Sequence, residues 1–319
     1  MVLDDYQGVA EGLADWGSLS GWAVEFERAR LPDDDAVVAR LEGVDAAVLM
    51  RERTPFPDPL LARLPRLRLL VTGGMRNAAV DLDAAARRGV TVCGVPGGSP
   101  ATPELAWALL LALLRSVCAE DAALRSGRWQ STVGHGLAGR TLGVVGLGNL
   151  GRRMVPVARA FGMGVLAWSA NLTAEAAEQA GASRVGKAEL FRRSDVVSLH
   201  LVLSERTRHV VGREELALLG PGGFLVNTAR AGLVDPSALL EALHSGGIAG
   251  AALDVYDREP LPPDDPLLRA PRTLLTPHLG YVTRDNLGHW YGGAVHALRA
   301  YADGAPVHVL AGPHGSSAT

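Results

Sequence analysis

Three short segments carry side chains whose types and spacing could do chemistry. They are Val226-Asn227-Thr228-Ala229-Arg230-Ala231-Gly232, Leu253-Asp254-Val255-Tyr256-Asp257-Arg258-Glu259-Pro260 and Thr276-Pro277-His278-Leu279-Gly280. Each follows or closes an apolar run of the kind that forms a buried parallel strand, and open α/β sheets hold ligands at the carboxyl ends of such strands. An arginine there can grip a carboxylate with its planar fork and polarise the carbonyl beside it. A histidine titrates close to working pH, so it can give a proton to a developing alkoxide or take it back. A carboxylate behind the imidazole would orient it and favour its charged form. Arg230, Glu259 and His278 therefore suit reduction of a 2-oxo acid, with the hydride coming from a nicotinamide, since no side chain supplies one.

A place for that cofactor is written earlier in the chain. Gly146-Leu147-Gly148-Asn149-Leu150-Gly151 stands between the apolar run Thr141–Val145 and a helical stretch, Arg152 to Phe161, with a second strand at Val165–Trp168. That is a G-x-G-x-x-G turn inside a βαβ unit, the setting a dinucleotide fingerprint requires. Gly146 allows the tight turn, Gly148 lets a pyrophosphate approach the backbone, and Gly151 lets helix and strand pack closely. The N–H groups and positive dipole end of the helix favour the phosphate charge.

The elements that must position these groups alternate strand and helix nearly throughout, which predicts an α/β protein with parallel sheets. A first series has strands at Trp22–Phe26, Asp45–Met50, Leu67–Val71 and Val90–Val92, and helices at Asp34–Leu41 and Leu82–Arg88. A second begins at Thr141 and continues through Asp195–Leu199, Gly223–Val226, Ile248–Leu253 and Thr273–Leu275. One long helix, Thr102 to Arg125, is expected between the series as a domain connector, with an apolar length (Trp107, Leu110, Leu111, Leu114) that would also suit a subunit interface. A last helix, Asp285 to Tyr301, would pack back on the first domain and make it discontinuous. Ala311 to Thr319 reads as a frayed tail.

Composition agrees with a soluble enzyme. The 319 residues suffice for two domains, and a net charge of −3 offers no basic surface for nucleic acid. The two cysteines, Cys93 and Cys118, have neither disulfide-framework nor zinc spacing, and no metal is expected. No signal peptide is visible at the start, and the apolar run Leu105–Leu114 is too short to span a bilayer, which takes about 20 residues. Cytoplasmic location is the default.

At Arg230, Glu259 and His278 the chain resembles the D-2-hydroxyacid dehydrogenases, the family that includes D-3-phosphoglycerate, glyoxylate/hydroxypyruvate and formate dehydrogenases. The likeness covers most of the chain and is strongest from about Val71 to Thr283. It implies two Rossmann-like domains, a flavodoxin-like substrate domain (1–98 and 281–319) and a dinucleotide-binding domain (99–280), with the active site in the cleft between them. It implies Arg230, Glu259 and His278 as catalytic residues, and Asp254 as partner of the nicotinamide amide. It places phosphate-loop contacts on Asn149 and Leu150 beside the three glycines, and further cofactor contacts on Thr207, Thr228, Ala229 and Gly280. The backbone of Gly74-Met75-Arg76 would hold the substrate carboxylate. A homodimer through the 102–125 region is the expected assembly.

Rival assignments exist within the same residues. Asp257 could replace Glu259 behind the histidine, but Glu259-Pro260 matches the family better, and the carboxylate argues against a formate dehydrogenase, which carries an amide there. His200 and His209 could also be proposed as the acid, but His200 reads as lying near the cofactor rim and His209 as surface. Asp195 reads as a strand start, and Asp235 as a helix cap followed by Pro236. Trp290 and Tyr291 suit either core packing or the wall of a substrate pocket.

Two departures from the family pattern stand out. The acidic residue expected about 20 residues past the glycines, which would bind the ribose hydroxyls and repel a 2′-phosphate, is Ser169 here. No arginine stands beside it, though Arg152 and Arg153 open the helix. NADP(H) is therefore not excluded, and NAD(H) is favoured only because nothing clearly attracts the extra charge. The second departure is Arg76, which could meet a second acidic group on the substrate or point to solvent. A reading from another class is a dinucleotide-sensing corepressor of the same fold, but no tail or insertion suited to docking a partner is present.

Overall fold

The computed structural model describes residues 1–98 and 101–313. They fall into two compact units, one of residues 1–98 with 283–313, the other of 101–282. Strands in chain order are β1 (Ala46–Leu49), β2 (Leu69–Gly73), β3 (Thr91–Val95), β4 (Thr141–Val145), β5 (Gly164–Trp168), β6 (Ser183–Arg184), β7 (Val196–Leu199), β8 (Phe224–Asn227), β9 (Gly250–Leu253), β10 (Thr273–Leu275) and β11 (Val309–Ala311).

The first unit is built on the sheet β1-β2-β3-β11. Its first three strands run parallel, and β11 closes the edge antiparallel to β3. Every residue of β1, β2 and β3 is buried, as parallel strands covered on both faces must be. One face packs on Leu3, Phe56, Leu60 and Ala84. The helix Arg284–Ala302 belongs to this unit and buries Trp290, Tyr291 and Leu298. Trp290 lies so close to Gly73 that a Cβ there would come within 2.8 Å of its ring. It packs in the core beside the turn that follows β2.

The second unit holds a seven-stranded parallel sheet in the order β10-β9-β8-β7-β4-β5-β6. Read from β6, this is the 3-2-1-4-5-6 order of a dinucleotide fold with one strand added. Apolar clusters cover both faces. One joins Ala106, Trp107, Leu110 and Met154 to the sheet, and the other Leu190, Phe191, Leu216 and Leu239. The strand order reverses at β4, whose neighbours are β5 and β7, and the glycine turn leaves its end.

Several expectations need correction. The single helix expected over Thr102–Arg125 is two helices, Ala101–Leu114 and Val117–Arg125. Ser116 between them takes a left-handed backbone (φ 52°), which no helix can continue through. Trp22–Phe26 makes only an isolated bridge from Phe26 to Val2 and is not a strand. Ala311, assigned to a frayed tail, is 5% exposed and ends β11; residues 314–319 of that tail lie outside the described residues. The short edge strands β6 and β11 were not expected at all. Both cysteines are free, Cys93 buried and Cys118 exposed.

Candidate active site

The sheet of the second unit delivers its chemistry where each strand runs out. The glycine turn follows β4, Ser169 follows β5, Thr228 and Arg230 follow β8, Asp254 follows β9, and Thr276 to Gly280 follow β10. Parallel register alone brings the last three groups together, because β8, β9 and β10 are adjacent in the sheet.

His278 and Glu259 meet. The histidine Nδ1 lies 2.6 Å from Glu259 Oε2, and the other carboxylate oxygen accepts the backbone N–H of Tyr256 at 3.0 Å. Glu259 is thus held by both oxygens and cannot swing away. Burial pushes its carboxyl up, but the hydrogen bond and charge of His278, the Tyr256 N–H and the Arg230 charge outweigh that, and it stays below the usual range. Asp257 is exposed, and no hydrogen bond or ion pair joins it to the histidine among the described residues. Tyr281 stands edge-on to the imidazole with ring centroids 5.4 Å apart. His278 itself has a left-handed backbone (φ 54°), with its N–H donated to Thr276 O at 3.0 Å.

Arg230 begins from an ordered turn. Asn227 at the end of β8 donates to Arg230 O at 2.9 Å and accepts from Ala229 N at 3.0 Å. Arg230 Nη1 donates to Ala229 O at 2.7 Å. Asn227 and Tyr256 are two residues that reasoning from sequence missed. The polar Asn227 ending an otherwise apolar strand was the available signal.

The residues around the glycine turn fit a dinucleotide. Gly146 has a backbone that only glycine adopts without strain (φ 98°), and a Cβ on it would meet the His200 and Leu201 backbone at 2.8 Å. A Cβ on Gly151 would overlap the Gly146 carbonyl oxygen. A Cβ on Gly148 would meet nothing within 4 Å, which is the opening a pyrophosphate would use. Gly146 N donates to Trp168 O at 2.8 Å, so Ser169 comes directly beside this turn. Asn149 and Leu150 are exposed on it, ahead of the helix Gly151–Ala160. The Thr228 hydroxyl is buried with no hydrogen-bond partner among the described residues. A buried hydroxyl left open in this way is the group a bound molecule would satisfy.

Other expected residues have local duties. Thr207 Oγ1 accepts from Ser204 N at 2.7 Å and donates to Val202 O at 2.8 Å, closing its own loop. His200 hydrogen-bonds Ser198 Oγ at 2.9 Å, and burial pushes its imidazole down to about 4, which removes it as an acid near neutrality. His209 is exposed. Asp195 pairs with Arg140 at 2.7 Å, and Asp235 caps the helix Pro236–Ser245. In the first unit, Gly74 donates its N–H to Val95 O at 2.8 Å, so that group is already used. The N–H groups of Met75 and Arg76 have no partner among the described residues, and both side chains are exposed. Asn77 ties this turn to Arg51 O (2.8 Å) and Thr72 Oγ1 (3.0 Å). Among the described residues no cluster of ligating side chains could hold a metal ion, and no helix is long and apolar enough to cross a membrane.

Comparison with known proteins shows the family. The profile of the family described as D-isomer specific 2-hydroxyacid dehydrogenase, NAD binding domain, matches residues 107–280. A glyoxylate reductase of Thermococcus litoralis is 36% identical, over 80% of this chain and 80% of its own. A D-3-phosphoglycerate dehydrogenase of Methanocaldococcus jannaschii is 38% identical over 82% of this chain but 50% of its own. The crystal structure of a phosphoglycerate oxidoreductase from Vibrio cholerae superposes with a TM-score of 0.91 at 38% identity, covering 95% of this chain and 98% of that one. The chain belongs to the D-isomer specific 2-hydroxyacid dehydrogenase family, whose chemistry is nicotinamide-linked hydride transfer on 2-hydroxy acids.

Proposed function

We propose that this chain reduces a 2-oxo acid to the D-2-hydroxy acid with Arg230, Glu259 and His278 as its catalytic residues. The observation that carries the proposal is the 2.6 Å pair of His278 Nδ1 and Glu259 Oε2, with the Arg230 charge felt at the same carboxylate. Arg230 holds the substrate carboxylate and polarises the adjacent carbonyl. Charged His278 gives its proton to the oxygen as negative charge develops there, and Glu259 stabilises the charged ring while fixing its orientation. A dihydronicotinamide, held by the glycine turn with Thr228 and Ala229, supplies the hydride. Reversal of each step oxidises the hydroxy acid.

With the first unit read as the substrate domain and the second as the nucleotide domain, the open N–H groups of Met75 and Arg76 receive carboxylate. The Arg76 guanidinium would favour substrates with a second acidic group. Cofactor choice leans to NAD(H), with NADP(H) admitted because Ser169 brings no charge beside the glycine turn. We also read the protein as a cytoplasmic homodimer. Val117, Leu124, Trp129 and Val133 are 53%, 56%, 77% and 95% exposed along one stretch, and a second copy would cover them.

The test is a panel of 2-oxo acids, from glyoxylate and hydroxypyruvate to longer and diacid analogues, assayed with NADH and NADPH in parallel. Turnover of none of them sinks the reading. Light scattering that returns a monomer sinks the dimer.

A further inference from the structure

The family likeness gives Asp254 to the cofactor, and its carboxylate already accepts three hydrogen bonds inside the protein. Asp254 is 0% exposed at the end of β9. Its Oδ1 accepts the Thr276 hydroxyl at 2.6 Å and the Leu279 N–H at 2.7 Å, and its Oδ2 accepts the Gly280 N–H at 2.8 Å. All three donors belong to the turn that carries His278, one before the histidine and two after it. The turn is pinned again by the Thr102 hydroxyl on Gly280 O at 2.9 Å and by the Tyr256 hydroxyl on Thr276 O at 2.9 Å. A Cβ on Gly280 would come within 3.2 Å of Asp254 Oδ2, so Gly280 too is accounted for by this carboxylate.

What the grip achieves is visible in the residue it surrounds. A left-handed backbone is unfavourable for a residue with a Cβ and persists only where its surroundings over-determine it. His278 is held in that state (φ 54°) with both flanks of its turn fastened to one buried group. A relaxed backbone would aim the imidazole elsewhere and break the 2.6 Å contact with Glu259.

We propose that Asp254 is a positioning residue, whose buried carboxylate clamps the Thr276–Gly280 turn and so sets the direction in which His278 presents its ring. The proposal rests on His278 as the acid and base, and gives Asp254 a task that is complete before any cofactor arrives.

The test separates aim from cofactor affinity. Asp254→Asn keeps the shape but replaces one acceptor with an NH₂, so Thr276 and Leu279, or Gly280, face a donor instead of an acceptor. NADH titration of the enzyme alone gives Kd and stoichiometry, and turnover at saturating NADH gives kcat. The expected result is a kcat lower by at least about tenfold, with Kd within about threefold of wild type and the same stoichiometry. A Kd weakened by about tenfold or more, with kcat retained, makes Asp254 a cofactor contact and overturns the proposal. Should Asp254→Asn not fold, Thr276→Val removes one donor without touching the buried charge. The same split is then expected at about threefold or more in kcat, and a wild-type kcat overturns the clamp. Wild-type turnover of a 2-oxo acid is the control for the underlying reading, and its absence sinks that reading rather than this clamp alone.

Discussion

The glycine turn allows one structural claim to be tested with two substitutions that should behave oppositely. Gly148→Ala adds a methyl where nothing lies within 4 Å, at a backbone outside the left-handed region. Restricting the unfolded chain then stabilises by about 0.4–1 kcal/mol, so the melting temperature should not fall. Gly151→Ala drives its methyl into the Gly146 carbonyl oxygen, and also within 3.0 Å of that carbonyl carbon and 3.1 Å of Val144 Cγ1. Forcing a methyl into packed structure costs about 1–3 kcal/mol, while alanine gains at most about 1 kcal/mol over glycine in a helix. The clash wins, because its partners are backbone atoms and a strand side chain that cannot rotate clear. A net loss of up to about 2 kcal/mol corresponds to up to about 8 °C for a unit of this size. Both variants should bind NADH at least about tenfold more weakly, about 1.4 kcal/mol, the first by filling the pyrophosphate's approach and the second by displacing the turn. Calorimetric melting and NADH titration of the same samples read both quantities. Wild-type affinity in Gly148→Ala would show that no pyrophosphate lies against that glycine, and an unmoved melting temperature in Gly151→Ala would show that helix and strand can slide apart at little cost.

Three further outcomes are expected. His278→Asn should lower kcat for reduction by at least about 10² while cofactor affinity holds, read by steady-state kinetics with an NADH titration; retained turnover removes the histidine from the chemistry. Glu259→Gln should move the basic limb of the pH–rate profile for reduction to lower pH, because the charged ring loses the negative partner 2.6 Å away. The carboxyl sits below its ordinary 4.5, so its contribution to stability is present above that pH and lost as pH falls through the folded value. Acid melting of Glu259→Gln should accordingly lose less stability over that window than wild type. Ser169→Asp should leave NADH use intact and cut kcat/KM with NADPH at least about tenfold, since like charges 4 Å apart repel by up to about 4 kcal/mol at an effective dielectric near 20; an unchanged cofactor ratio would place Ser169 away from the ribose.

The parts of this protein that depend on local pattern could be read from the sequence. The runs at Thr141, Val196, Phe224 and Gly250 are apolar enough to be strands buried on both faces, and a glycine fingerprint between strand and helix has few other readings. That Arg230 and His278 stand just past strand ends, with Glu259 against the histidine, follows from segments the sequence displays. What was hidden depends on single dihedrals or distant partners. Nothing in the apolar run from Thr102 onward marks Ser116, since serine is neither glycine nor proline, yet its φ divides the helix. Trp22–Phe26 has strand composition but finds only Val2 to bridge. The three donors to Asp254 stand 22 to 26 residues away along the chain, and which ones reach it is fixed by the register of β9 against β10.

The bond between His278 Nδ1 and Glu259 also decides which end of the ring can work. With a carboxylate on Nδ1 the neutral ring keeps its hydrogen there, so in the proposed cycle Nε2 is the nitrogen that would gain and lose the proton. The exchange therefore always occurs at the same edge of the imidazole. In the proposed reaction a ketone with its oxygen at that edge, its carboxylate on Arg230 and its hydride from one cofactor face would have no freedom left in the handedness of its new stereocentre. Glu259, held by both of its oxygens, would supply one of those three fixed points.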